Sequence, residues 1–174
     1  MKSVYLILSN SYSFPSKVLK YCSGNELNHL SISLDKDLNR MYSFGRKNIN
    51  NFLIGGFIEE GLDTKYIVHF PNTYCEVYSL DIDDTCYDIL YNMLNNFKLN
   101  KNKYSYNFVG ILFGKFRYNY IRSSSYYCSQ FVFYLLKECG IIDKDLNYLL
   151  PSDLKNIKNL DLIYKGNLSD YKIF

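Results

Sequence analysis

The sequence predicts an α+β domain in which a mainly antiparallel sheet packs against helices. Three observations support this fold class. Residues 27–34 alternate between apolar and polar side chains, as is typical of a half-buried strand. Residues 83–98 repeat apolar side chains with the period of a helix. No internal repeat, linker or low-complexity stretch divides the 174 residues, so we expect a single domain over residues 1–174.

The strand candidates are apolar or alternating runs that end at turn residues. In the alternating run, His29, Ser31 and Ser33 fall on the face opposite the apolar side chains. Gly55 and Gly56 indicate either a bulge or a point where another segment approaches closely. A turn at residues 35–37 makes the second and third candidates antiparallel neighbours. In chain order, the predicted strands are residues 3–9, 27–34, 40–45, 53–60, 66–70, 76–82 and 160–164.

Helices are predicted where a capping residue precedes an apolar stripe. Ser13 and Pro15 begin a short helix that runs to about residue 21. Ser123, Ser124 and Ser125 supply caps for a helix that runs to Cys139 and is closed by Gly140. A short helical turn starts at residue 151, whereas residues 106–116 are aromatic without a clear preference. The stripe of the helix at residues 83–98 consists of Ile89, Leu90, Met93, Leu94 and Phe97.

Composition argues against several kinds of function. Lys and Arg number 20 and Asp and Glu 17, and a net charge of +3 is too small to predict nucleic-acid binding. Two histidines exclude a His-rich metal site and the five cysteines form no Cys-x-x-Cys pair, so we expect no metal and no cofactor. The N-terminus does not resemble a secretory signal, and no run approaches the roughly 18 apolar residues of a membrane span. We therefore expect a cytoplasmic protein with reduced thiols and no transmembrane segment.

Cys128 is the cysteine best placed for chemistry. If Ser125 caps the helix, Cys128 lies in the first turn, where free N–H groups and the helix dipole stabilise an anion. A thiol in that position should be a better nucleophile, although a small core residue is the ordinary alternative. Cys139 lies at the opposite end of the same helix, which disfavours a thiolate. The remaining cysteines, Cys22, Cys75 and Cys86, lack such a position.

A thiolate nucleophile needs a partner that accepts or holds a proton. His29 lies on a polar strand face among serines, whereas His69 lies among apolar residues and is expected to be structural. A third group should orient the imidazole. Because side chains alternate along a strand, the odd-numbered residues of the return strand can lie beside His29. Of these, Ser43 carries a polar group, whereas Met41 is chemically unsuited. A backbone carbonyl or Glu60 are the alternatives.

The order of these segments resembles a known family. NHLSISLD at residues 28–35 comes first, MYSFGR at residues 41–46 and GFIEE at residues 56–60 follow, and YCSQFV at residues 127–132 comes much later. This order resembles the permuted branch of the NlpC-type papain-like superfamily, the YiiX/YaeF-like amidases. There the His strand precedes the Cys helix, as in the related lecithin–retinol acyltransferase group. The resemblance covers most of the chain and implies a circularly permuted papain-like fold.

The resemblance implies that Cys128 is the nucleophile and His29 the general base. Many relatives carry a stronger hydrogen-bond acceptor at the position of the third, orienting residue, where this chain offers Ser43. The candidates to stabilise an oxyanion are Tyr127, Tyr126 and the backbone N–H of Cys128. We expect a cysteine-dependent hydrolase that acts on a peptide, amide or acyl-ester substrate through an acyl-enzyme. The alternatives are an acyltransferase for lipid-like substrates and a catalytically degenerate module that binds a peptide or lipid. A further alternative is a protein that shares only the fold and binds a partner chain through its aromatic surfaces.

Overall fold

A six-stranded antiparallel sheet organises the protein. The computed structural model describes residues 1–10, 27–48, 51–62, 72–114, 116, 118, 120, 122, 124–143 and 150–171. In chain order the elements are β1 (Lys2–Ser9), β2 (His29–Ser33), β3 (Met41–Asn48), β4 (Asn51–Glu60), β5 (Tyr74–Ile82), α1 (Asp84–Leu99), β6 (Ser105–Tyr106), α2 (Phe108–Gly114), β7 (Ser125–Tyr126), α3 (Cys128–Glu138) and β8 (Leu160–Asn167). The strand order in the sheet is β4-β3-β2-β1-β5-β8, and β6 and β7 form a separate, parallel pair.

The expected α+β class and mainly antiparallel sheet are confirmed. Six of the predicted strands correspond to β1 to β5 and β8, with bounds that differ by a few residues. The short helix at residues 151–156 also begins at its predicted proline. The helix predicted to begin at Ser13 and the strand predicted at residues 66–70 lie outside the described residues, as do Cys22 and His69.

The central strand β2 is buried on both faces, which differs from the half-buried strand that its alternation predicts. Leu30 and Ile32 enter the main core. Ser31 pairs with Ile7 of the neighbouring strand β1, so the two side chains lie on the same face of the sheet. Ile7 belongs to a second apolar cluster, which covers this face. That cluster includes Leu168, which is distant in sequence, so the local pattern does not reveal it.

Two helices cover the main core. The carboxylate of Asp83 caps α1 by accepting the N–H of Cys86, and Leu90, Leu94 and Phe97 are buried as predicted, although Ile89 is exposed. Phe131 of α3 packs on Phe44 of β3 with ring centroids 5.1 Å apart. Among the described residues, no helix combines the length and apolarity needed to cross a membrane.

The helix α3 starts later than predicted. Ser125 does not cap it, because Ser125 pairs with Ser105 in the small parallel sheet and their hydroxyl oxygens lie 2.7 Å apart. Tyr127 is the N-cap, so Cys128 is the first helical residue. The end is as expected, since Cys139 is the C-cap and Gly140 follows with φ of +71°, a left-handed conformation that favours glycine.

The pair Gly55 and Gly56 marks a close approach of two segments, one of the two roles expected for it. A Cβ at Gly55 would lie 2.7 Å from Cβ of Tyr106, and a Cβ at Gly56 would lie 2.6 Å from the carbonyl oxygen of Tyr104. These glycines therefore let β6 lie against β4. Because β6 pairs with β7, which leads into α3, this contact helps to place the start of that helix.

Candidate active site

His29 and Cys128 meet at one end of the sheet. His29 is the first residue of β2, and Cys128 is the first residue of α3. The Cys128 thiol lies close enough to the His29 imidazole to raise its pKa, and Cys128 Sγ lies 3.9 Å from the carbonyl oxygen of Asn28, the residue before His29. Cys128 is only 1% exposed and the His29 side chain 13% exposed. The two residues that the sequence singles out therefore lie together at a position with little exposure to solvent.

Apolar neighbours in the sequence hold both residues in place. Leu30 follows His29 directly and is fully buried in the main core. Phe131 lies one helical turn after Cys128 and is buried in the same core. At the other side of β2, Ser9 of β1 pairs with His29 in the sheet ladder. The positions of the thiol and the imidazole therefore follow from core packing and not from a flexible loop.

Glu60 is the carboxylate that contacts the imidazole. Its Oε2 atom lies 3.4 Å from His29 Nε2 and 3.4 Å from the hydroxyl of Ser31. Glu60 ends β4, and β3 lies between β4 and β2. The intervening strand carries Gly45 near the imidazole, where an added Cβ would lie 3.9 Å from His29 Cε1. The carboxylate of Glu60 therefore contacts the imidazole from two strands away.

Ser43, the residue that the sequence suggests as the orienting group, hydrogen-bonds to the backbone of β2. Its hydroxyl donates to the carbonyl oxygen of Leu30 at 2.7 Å. A hydroxyl has a single proton to donate, so this bond fixes Ser43 as a tie between β2 and β3. Glu60, which the sequence offered only as an alternative, is the group beside His29. Alternation on the adjacent strand could not identify it, because Glu60 lies two strands away from β2.

The charge of Glu60 changes the acid–base behaviour of His29. Burial by itself lowers the pKa of His29, because it disfavours the charged imidazolium. The negative charge of Glu60, together with hydrogen bonds to Cys128 and Glu60, outweighs burial and holds the pKa of His29 well above its usual 6.5. The favoured form of His29 is therefore the imidazolium, which can donate a proton to a neighbouring group.

Tyr127 places a hydroxyl near the start of α3. Its side chain is buried and packs with Ile111 and Tyr106. The hydroxyl has no hydrogen-bond partner among the described residues. Burial, together with negative charge at Cys128 and Asp153, raises the pKa of Tyr127, so the phenol remains a neutral O–H donor. Tyr126, the other tyrosine considered, packs against Phe44 in the main core.

A polar cleft of about 590 Å³ opens at the same end of the sheet. Leu27 lines it, one residue before the Asn28 carbonyl that contacts Cys128 Sγ. Glu76 lies in its wall and pairs with Lys155 at 2.7 Å and Lys165 at 3.0 Å. Burial would raise the pKa of Glu76, but hydrogen bonds from Lys155, Tyr78 and Lys165 lower it to about 2. The other lining residues are Asn10, Asn72, Tyr74 and Asn167.

The other described cysteines are not suited to nucleophilic attack. Cys75, Cys86, Cys128 and Cys139 are all free thiols. Burial raises the pKa of Cys75 to about 12, helped by the charge of Glu76, and burial also raises the pKa of Cys139 to about 12. These two thiols stay protonated at neutral pH. Within the described ranges, no cluster of three or more His, Cys, Asp or Glu side chains could hold a metal ion.

Replacing Glu60 by Gln should lower the pKa of His29. The substitution removes the negative charge that raises this pKa and leaves the burial that lowers it. NMR titration of the imidazole signals measures the change, and a His29→Asn variant assigns the signal, since the chain has two histidines. Glu59→Gln is the matched control, because the carboxylate of Glu59 pairs with Lys98 at 2.7 Å. An unchanged pKa in Glu60→Gln would contradict the electrostatic role of Glu60.

Replacing Tyr127 by Phe should raise the free energy of unfolding by about 1 kcal/mol, because it removes a buried hydroxyl that lacks a partner. The comparison variant is Tyr171→Phe, which removes a hydroxyl that donates to the carbonyl oxygen of Lys36 at 2.9 Å. That change should lower the free energy of unfolding by about 1 kcal/mol. Urea denaturation measures both. Equal losses in the two variants would show that the Tyr127 hydroxyl has a stabilising partner.

Neither protein-family models nor curated proteins nor solved structures give a match to the chain. The candidate active site consists of three side chains on three separate elements, namely Cys128 on α3, His29 on β2 and Glu60 on β4. What this site does is inferred from their contacts and charges.

Proposed function

We propose that the protein is a cysteine-dependent hydrolase of amide or ester bonds. Cys128 is the nucleophile, His29 is the general acid and base, and Glu60 orients and charges the imidazole. The observation that carries this proposal is that Cys128 and Glu60 both lie beside the His29 imidazole, with Cys128 Sγ 3.9 Å from the carbonyl oxygen of Asn28 and Glu60 3.4 Å from the ring. The order of the elements, with the His strand before the Cys helix, supports a permuted papain-like arrangement.

The first half of the reaction forms an acyl-enzyme. The Cys128 thiolate attacks the carbonyl carbon of the substrate, and the electron pair of the C=O bond moves to the oxygen. The backbone N–H of Cys128 at the start of α3 and the Tyr127 hydroxyl are the candidate donors to this oxyanion. When the intermediate collapses, the leaving amine or alcohol takes a proton from the His29 imidazolium. The acyl group remains on sulfur as a thioester.

The second half returns the enzyme to its starting state. Neutral His29 accepts a proton from a water molecule as the oxygen attacks the thioester carbon. The tetrahedral intermediate expels the Cys128 thiolate and releases the carboxylic acid. The imidazole is again protonated and again held by Glu60, which favours the charged form. Proton and electron pairs therefore balance over the cycle without a cofactor.

The polar cleft at the His29 end of the sheet favours a substrate that carries polar groups, although Cys128, His29 and Glu60 do not line it. Asn10 and Asn167 offer amide groups in its wall, and Lys165 offers an ammonium group. Lys165 pairs with the carboxylate of Glu76 in this wall, and Lys155 pairs with the same carboxylate from outside the cleft lining. An amide substrate that carries a carboxylate or other hydrogen-bonding groups suits such a surface better than a plain hydrocarbon chain.

A panel of amide and ester acyl donors tests the proposal. The wild-type protein should hydrolyse at least one donor, and Cys128→Ala should lower the rate by at least about a thousandfold, because it removes the nucleophile. Cys86→Ala is the control, since this thiol donates to the Cys139 carbonyl oxygen, away from the imidazole. Product analysis with water and with an added amine shows which one accepts the acyl group. Turnover that survives in Cys128→Ala, or no turnover with any donor, would contradict the proposal.

A further inference from the structure

A group of exposed aromatic side chains projects from the end of α2 and from the segment that follows it. We call it the aromatic ledge and define it as Phe113, Phe116, Tyr118 and Tyr120. Their exposed fractions are 43%, 76%, 61% and 36%, respectively. Such large rings are normally covered in a folded protein, so four of them on one short segment call for a physical explanation.

Local backbone bonds arrange the aromatic ledge. The carbonyl oxygen of Phe113 accepts the N–H of Phe116 at 3.0 Å and the N–H of Tyr118 at 3.2 Å. The ring of Phe113 contacts the rings of Tyr118 and Tyr120, with centroids 5.7 and 5.6 Å apart. The rings of Phe113, Tyr118 and Tyr120 are therefore grouped while they stay exposed, and a backbone bond holds Phe116 next to them in the chain. This arrangement differs from scattered surface aromatics, which need no explanation.

The aromatic ledge is attached to the first turn of α3. The carbonyl oxygen of Tyr120 accepts the side-chain amide of Asn107 at 2.9 Å and that of Gln130 at 3.4 Å. Gln130 lies two residues after Cys128 on the same helix. Whatever the aromatic ledge contacts is therefore placed on the side of the molecule that carries the start of α3.

The charge of this part of the chain is strongly one-sided. Residues 99–137 contain no Asp or Glu, although the whole chain has 17 of them. Arg122 is exposed and bridges to Ser125, and Lys103 is exposed just before β6, whose Ser105 pairs with the same Ser125. Arg122 thus adds an exposed cation two residues after Tyr120, the last residue of the aromatic ledge. The basic residues of this segment are Lys101, Lys103, Lys115, Arg117, Arg122 and Lys137.

We propose that the aromatic ledge docks on a membrane surface that contains anionic lipids. The transfer of Phe and Tyr rings from water to the boundary between headgroups and acyl chains is favourable. Lys and Arg beside them are attracted to the negative surface potential of anionic lipids. A segment that combines grouped, exposed aromatic rings with cations and lacks acidic residues fits both properties of such a surface. Docking does not require the chemistry proposed for Cys128.

Vesicle co-sedimentation tests this proposal. The full chain is mixed with vesicles of phosphatidylcholine alone or of phosphatidylcholine with phosphatidylserine, at low and high salt. Wild type should bind the anionic vesicles more tightly, and salt should weaken binding. Phe116→Ser and Tyr118→Ser should each lower the partition coefficient by about fivefold, because each removes apolar surface that would be buried. Tyr91→Ser is the matched control, because Tyr91 is 53% exposed on α1.

Three outcomes would overturn the proposal. The first is no preference of wild type for anionic vesicles, and the second is equal binding by wild type and both ledge variants. The third is a change of oligomeric state in a ledge variant, when neither wild type nor the variant binds vesicles. In that case the aromatic ledge would contact a second copy of the chain. Circular dichroism checks that each variant folds. Cys128→Ala should bind vesicles as wild type does, so this test is separate from that of the proposed hydrolase.

Discussion

The packing of α3 against β2 and β3 determines where the reactive groups of the protein lie. Phe131 contacts Phe44 on β3, and Leu30 of β2 is buried in the same core. Removal of a buried aromatic side chain of this kind typically costs about 3–5 kcal/mol of stability. The same packing fixes the first residue of the helix and the first residue of the strand, so the thiol and the imidazole are positioned by the core itself.

This position also sets the electrostatics. His29 and Glu60 are each only 13% exposed, and the charge of Glu60 acts on the imidazole with little screening by water. A buried imidazole without a carboxylate would favour its neutral form. With Glu60 present, the favoured form is the imidazolium, which is the partner that a thiolate requires. The contribution of this ion pair to stability is complete below the unfolded-state pKa of His29. It is lost as the pH rises through the higher folded-state pKa.

Much of this arrangement could be predicted from the sequence, because it depends on local patterns. Alternation placed His29 on the polar face of its strand, and the apolar helix after residue 125 identified Cys128 as the cysteine near a helix start. Other features depend on segments far apart in the chain. Glu60 reaches the imidazole across β3, and Ser125 is held by β6 instead of capping a helix. Such contacts leave no periodic signal, so adjacent-strand reasoning favoured Ser43.

The central claim is that Cys128 and His29 form one coupled unit. The pKa of His29, followed by NMR titration in a Cys128→Ala variant, tests it most directly, because the hydrogen bond and charge of Cys128 both raise this pKa. The pKa of His29 should fall in Cys128→Ala and stay at its wild-type value in the control Cys86→Ala. An identical pKa of His29 in wild type, Cys128→Ala and Cys86→Ala would contradict the coupling and, with it, the proposed active site.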